Sequence, residues 1–127
     1  MDVQHAAVVI GVGPEKGLGA ALAMSFAAKG LHVFIAGRSA DKLDLVAQAI
    51  RERGGSVTPV KTDATLVDEV DNLFNKISSS GCTLDIAVYN VDSNISAPLL
   101  ETDAETFTKL WQQNCLGGFL FGKAALK

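Results

Sequence analysis

The sequence predicts an α/β fold, a doubly wound parallel sheet with its strands in the order 3-2-1-4. Three observations lead there. Short apolar runs alternate with longer helical patterns along the whole chain. The apolar runs are near-continuous rather than alternating, as in strands covered by helices on both faces. And four glycines in nine residues, "GVGPEKGLG" at 11–19, link the first apolar run to the first helical pattern.

Each element has its own signal. "HAAVVIGV" (5–12) reads as a buried strand. "GLGAALAMSFAAKG" (17–30) places Leu18, Ala21, Leu22, Ser25 and Phe26 at helical spacing, with Gly30 as its stop. "LHVFIAG" (31–37) is the second strand, and "SADKLDLVAQAIRERGG" (39–55) a helix with a Ser/Asp capping signal at its start and two glycines at its end. "SVTPVKTD" (56–63) is the third strand, and Pro59 assigns it to an edge. "TLVDEVDNLFNKISSSG" (65–81) sets Leu66, Val70, Leu73, Phe74 and Ile77 on one helical face. "LDIAVYNV" (84–91) is the fourth strand. Residues 103–127 form a long helix, interrupted at Gly117-Gly118. Right-handed crossovers then give the order 3-2-1-4 and put the reversal of the sheet between strands 1 and 4, where such sheets bind ligands.

Composition narrows the function. At 127 residues the chain is one domain, 1–127. It is 48% hydrophobic, as a globular core requires, and its net charge of −3 gives no support for nucleic acid or anionic membrane surfaces as partners, so neither is expected. No apolar run approaches the ~20 residues of a membrane span. The N-terminus carries no basic segment ahead of its apolar run, so it is not a secretory signal, and a reduced, cytoplasmic setting is expected. Cys82 and Cys115 have neither metal nor redox spacing, and no metal site is expected. His5 and His32 read as ordinary surface or packing histidines.

A glycine loop between a strand and a helix lets backbone approach an anion, which the free N–H groups and the dipole of the helix start then attract. Spacing decides which motif it is. G-x-G-x-x-G needs glycine at 16, where Lys16 stands, and no Gly-Lys-Ser/Thr of a P-loop follows. What fits is G-x-x-x-G-x-G at Gly13, Gly17 and Gly19, with Gly11 as an extra glycine. A glycine-rich turn without a ligand is the competing reading, and the predicted switch point weighs against it.

This spacing resembles the T-G-x-x-x-G-x-G signature of the short-chain dehydrogenase/reductase family, with Val12 in place of the threonine. The resemblance covers essentially the whole chain. "IAGRSADKL" (35–43) is similar to the family's second strand and turn, and "VKTDAT" (60–65) to the segment whose aspartate meets the adenine. "LDIAVYNVDSN" (84–94) falls on the N-N-A-G motif, and "FTKLWQQNCLGGFLFGKAAL" (107–126) on the fourth major helix. The resemblance implies a Rossmann-like fold ending after the helix that follows strand 4. It implies a dinucleotide held by the loop (Gly13, Lys16, Gly17, Leu18, Gly19), by Arg38 and Ser39, by Asp63 and Ala64, and by Asn90. Of the Asn, Ser, Tyr and Lys that catalyse hydride transfer in the family, it supplies only Asn114.

The cofactor follows from charge. A carboxylate after strand 2 would hold the ribose 2′-hydroxyl of NAD; here Gly37-Arg38-Ser39 stands there. Arg38 offers a planar fork to a 2′-phosphate, and Lys16 adds a second cation, as in family members that use NADP(H). NADP(H) is therefore favoured over NAD(H).

Two departures matter. The N-N-A-G motif reads Tyr89-Asn90-Val91-Asp92, which keeps only the second asparagine, while Ser93, Asn94 and Ser96 stand beside it as candidate pocket residues. And the sole tyrosine, Tyr89, is followed four residues on by Ser93, so no Y-x-x-x-K exists in the chain. Two readings stay open: the cofactor-binding part of an oxidoreductase acting on a small carbonyl or alcohol, or a non-catalytic dinucleotide-binding or interaction module. In either, the last helix, with Phe107, Leu110, Trp111, Leu116, Phe119, Phe121 and Leu126, needs cover, so self-association through it is expected.

Overall fold

The computed structural model describes residues 3–91 and 97–126. Its parallel sheet runs in the order β3-β2-β1-β4, as the alternation of strand and helix patterns predicts. The strands are β1 (His5–Ile10), β2 (His32–Gly37), β3 (Ser56–Lys61) and β4 (Thr83–Tyr89). Between them come α1 (Leu18–Ala28), α2 (Ala40–Glu52) and α3 (Val67–Ser79). After β4 the chain continues through a 3-10 turn (Leu99–Glu101) into α4 (Ala104–Trp111), a π-helical turn (Gln112–Leu116) and α5 (Gly117–Ala125).

The continuous apolar character of β1 and β2 has a simple cause. Successive side chains point to opposite faces, and both faces are covered. Val9 and Ile35 pack with Leu43, Val46 and Ile50 of α2 and the small residues Ala20 and Ala23 of α1. Their neighbours Val8, Ile10 and Phe34 pack on the other face with Leu73 and Ile77 of α3 and Phe121 of α5. Pro59 lies on β3, at one edge of the sheet, where a missing N–H costs no ladder bond inside the sheet. β4 forms the other edge among the described residues. Its pairing with β1 slips by one residue after Ala6↔Leu84. The extra residue, Asp85, takes His5 Nδ1 on its carboxylate at 2.8 Å. His32, the other histidine, bonds the hydroxyls of Ser56 and of Thr58, the latter at 2.8 Å, and burial lowers its pKa.

Helix ends follow the capping signals. Ser39 Oγ accepts from the Lys42 N–H at 3.3 Å, and Gly30 closes α1 at φ +88. Two expectations need correction. The buried face of α1 is formed by Gly19, Ala20 and Ala23, while Leu18 is 65% exposed. The helix lies so close to β1 that only small side chains fit between them, while the larger Met24 and Phe26 are partly buried against the border of the same core. The long helix is also not interrupted at Gly117-Gly118. Gly117 keeps helical angles, φ −58 and ψ −43, and the irregularity is the π turn just before it, where an extra residue is absorbed without ending the helix.

Phe121 is buried, but Phe107, Trp111 and Phe119 are exposed along α4 and α5. Among the described residues no helix is long and apolar enough to cross a membrane.

The two faces of α1 and α2 predict opposite mutational outcomes. Leu43→Ala, at a side chain 1% exposed, is expected to cost about 2–5 kcal/mol in urea unfolding. Leu18→Ala should stay within about 0.5 kcal/mol. Equal losses would contradict the assignment of the buried face.

Candidate functional site

At the carboxyl end of β1 the chain turns at Gly11, whose φ of +97 suits glycine. Its N–H and that of Val12 both donate to the Ala36 carbonyl, at 2.9 and 3.0 Å, tying the turn to β2. The loop then makes a tight turn, with the Gly17 N–H on the Pro14 carbonyl at 2.8 Å. Gly17 caps α1 without a side-chain bond, and the first intrahelical bond is Ala21 N–H to Gly17 O at 3.1 Å. The N–H groups of Leu18, Gly19 and Ala20 precede that bond and so have no helical partner.

The three signature glycines do different things. A Cβ on Gly19 would fall 2.7 Å from Gly11 O and 3.1 Å from Asn90 Nδ2, so its absence lets α1 start against β1 and β4. On Gly17 it would meet Pro14 O at 3.1 Å, within the turn itself. On Gly13 it would meet nothing within 4 Å; this backbone faces open space, where a ligand can come close to the chain.

That space belongs to a cleft of about 610 Å³ at the carboxyl ends of the strands, within the range of small-molecule sites. One wall is the glycine loop. A second follows β2, with Arg38 and Ser39 and, one turn into α2, Lys42. Gly37 brings this wall in: a Cβ there would lie 2.4 Å from Val12 O. The third wall follows β3. Thr62 is buried, with its N–H on Gly37 O at 2.7 Å. Asp63 Oδ1 accepts from the N–H and the hydroxyl of Thr65 at 2.9 and 2.7 Å, which holds Asp63, Ala64 and Thr65 at the rim. The fourth wall is Asn90, Val91 and Gln113. Asn90 is fixed by its backbone N–H on Ile10 O at 2.8 Å and its side-chain amide on Gly11 O at 3.3 Å.

Gly13, Arg38, Ser39, Asp63, Ala64 and Asn90, all named from the sequence, line this one cleft. Gly17, Leu18 and Gly19 form the turn and helix start behind its first wall. Lys16 is exposed on the loop and does not line the cleft. Asn114 is exposed on the π turn, next to the lining residue Gln113. Asp92, Ser93, Asn94 and Ser96 lie outside the described residues.

Sequence reasoning missed Lys42, Gln113 and the role of Tyr89. Lys42 had a signal: four residues after Arg38, in the first turn of a capped helix, it shares that residue's side of the cleft. Tyr89 had none, because its partner comes from a turn that no pattern announces. Its hydroxyl donates to the Gln113 carbonyl at 2.5 Å, and its ring packs on Phe121 with centroids 5.7 Å apart. Burial, and then the negative charge of Asp63, push its pKa up.

The profile of the family described as short chain dehydrogenase matches residues 6–127. The chain is 34% identical over 121 residues to cis-4-hydroxycyclohexanecarboxylate dehydrogenase of Sinomonas cyclohexanicum, covering 94% of this chain and 48% of that protein. A crystal structure of a short-chain dehydrogenase from Rhodopseudomonas palustris superposes with a TM-score of 0.84 at 33% identity, over 94% of this chain and 55% of that one. A short-chain type dehydrogenase/reductase from Mycobacterium marinum superposes with a TM-score of 0.89 at 29% identity, over 97% and 49%. The chain spans about half the length of the curated relatives it matches.

Tyr89 is the one tyrosine of the chain, so tyrosinate absorbance reports it alone. Its midpoint is expected above the ordinary phenol value of 10.0. With the folded value above the unfolded one, the neutral phenol contributes stability that is complete below the unfolded value. That contribution is lost as pH rises through the folded midpoint. A midpoint at or below 10.0 would contradict this environment.

Proposed function

Because the chain belongs to the short-chain dehydrogenase/reductase family, an oxidoreductase family that binds NAD(P), we propose that residues 1–127 are the NADP(H)-binding domain of such an enzyme. The complete protein then moves hydride between NADP(H) and a carbonyl or alcohol of a small molecule. When bound, the nicotinamide supplies or accepts the hydride; the residues of this chain bind and orient it.

The observation that carries the choice of NADP(H) is the wall after β2. Arg38 and Lys42 both line it, and Gly37-Arg38-Ser39 offers no carboxylate to a ribose hydroxyl. A guanidinium takes a phosphate through two parallel N–H bonds, and Lys42 adds a point charge beside it. Lys16, outside the wall, contributes charge at longer range. The pyrophosphate goes to the unpartnered N–H groups of Leu18 and Gly19 across the open backbone of Gly13, as the macrodipole of α1 favours. Asp63 and Ala64 at the rim take the adenine, and Asn90 borders the nicotinamide end.

Asn114 is the one member of the family's catalytic group assigned within these residues. The Ser and the Y-x-x-x-K pair we place outside residues 1–127, which then bind cofactor without turning it over. The commitment of Tyr89 to Gln113 also supports the second reading, a dinucleotide-binding or interaction module without chemistry. The exposed apolar side chains Phe107, Trp111 and Phe119 support self-association through α4 and α5.

Arg38→Asp discriminates the cofactor. A charge-assisted bond contributes about 1.5–3 kcal/mol, so NADPH affinity should fall by roughly tenfold to a hundredfold. NADH should change by less than about threefold, because it has no phosphate at that place. Equal losses for both in a fluorescence titration would overturn the assignment.

A further inference from the structure

Tyr89 and Asn90 are adjacent on the last turn of backbone at the end of β4, and neighbouring strand residues point to opposite faces. Asn90 holds the glycine loop through Gly11 O at 3.3 Å. Tyr89 holds the π turn through Gln113 O at 2.5 Å. Gln113 and Asn90 both line the cleft, so two consecutive residues brace two of its walls from one strand end.

The Tyr89 side of this brace is built for a hydroxyl. A Cβ on Gly117 would stand 2.1 Å from Tyr89 Oη and 3.3 Å from Ala64 O, so only glycine there admits the phenol. The ring is wedged by Phe121, which is itself set edge-on against Phe74 at 5.4 Å. What the hydroxyl secures is a π turn, a rare geometry that concentrates at functional sites, and that turn carries Asn114.

We infer that Tyr89 is a positioning residue: its hydroxyl ties the π turn to the end of β4, and so sets the cleft wall at Gln113 and the placement of Asn114. The inference rests on the cofactor reading above only for its effect on binding. The bond from hydroxyl to carbonyl stands independently of it.

Tyr89→Phe keeps the ring and removes the donor. NADPH binding to the 127-residue chain should weaken by about two- to tenfold, the worth of one neutral hydrogen bond. Amide exchange at Asn114–Gly118 should accelerate, while the remaining amides keep their protection. Unchanged exchange overturns the inference, and so does faster exchange with parental NADPH affinity, since the hydroxyl would then serve packing alone. If the parent chain binds no NADPH, the cofactor reading fails, and the exchange result alone decides the tie. A second variant guards against simple misfolding. Gly117→Ala should weaken NADPH more in the parent than in the Tyr89→Phe background, where the contact with the hydroxyl at 2.1 Å is gone and only the closer-than-usual approaches to the ring Cζ at 3.2 Å and Ala64 O at 3.3 Å remain. Additive losses overturn the inference.

Discussion

At the carboxyl end of β1, backbone packs directly on backbone. The places where Cβ atoms of Gly11, Gly19 and Gly37 would stand are filled by main-chain atoms: Asn90 C at 2.5 Å, Gly11 O at 2.7 Å and Val12 O at 2.4 Å. Each would be a collision for any side chain, and interiors have little slack to absorb it. The start of α1, the end of β4 and the end of β2 are thereby drawn around the same two residues, Gly11 and Val12. The sheet reverses at this point, so the strand ends diverge just beyond it and the cleft opens there. The approach of α1 also explains why its buried face is glycine and alanine, and why Gly13, alone of the three signature glycines, faces open space.

The same packing organises the electrostatics. An overall charge of −3 gives no reason to expect an anion site, yet Arg38 and Lys42 line the cleft and the start of α1 stands behind its glycine-loop wall. A helix N-terminus acts as roughly half a positive charge, effective only within the first turn. Its attraction for an anion is therefore confined to the loop, while Arg38 and Lys42 put positive charge on the wall after β2. The proposed NADP(H) has a pyrophosphate and a separate 2′-phosphate, one for each of these places.

How far the sequence shows this depends on the kind of interaction. β1 and β2 are legible because burial on both faces leaves a continuous apolar run. Ser39 and Gly30 are legible because a cap is a local bond. The cleft residues Gly13, Arg38, Asp63 and Asn90 are legible through the resemblance to the family's motifs, and they meet because strand ends in a doubly wound sheet converge by topology. The face of α1 is not, since its composition answers to a distance between backbones and not to a hydrophobic stripe. Gly117-Gly118 looks like a helix break because glycine has low helix propensity. The helix nevertheless continues, for Gly117 makes room for Tyr89 from a strand 28 residues earlier, and a contact of that range leaves no local trace.

The most direct measurement is a crystal structure of the chain grown with NADPH. The pyrophosphate should lie on the Leu18 and Gly19 N–H groups above Gly13, and the 2′-phosphate should be within hydrogen-bond distance of Arg38, with Lys42 beside it. A cofactor bound elsewhere, or one in this cleft with its 2′-phosphate turned to solvent, would contradict the account.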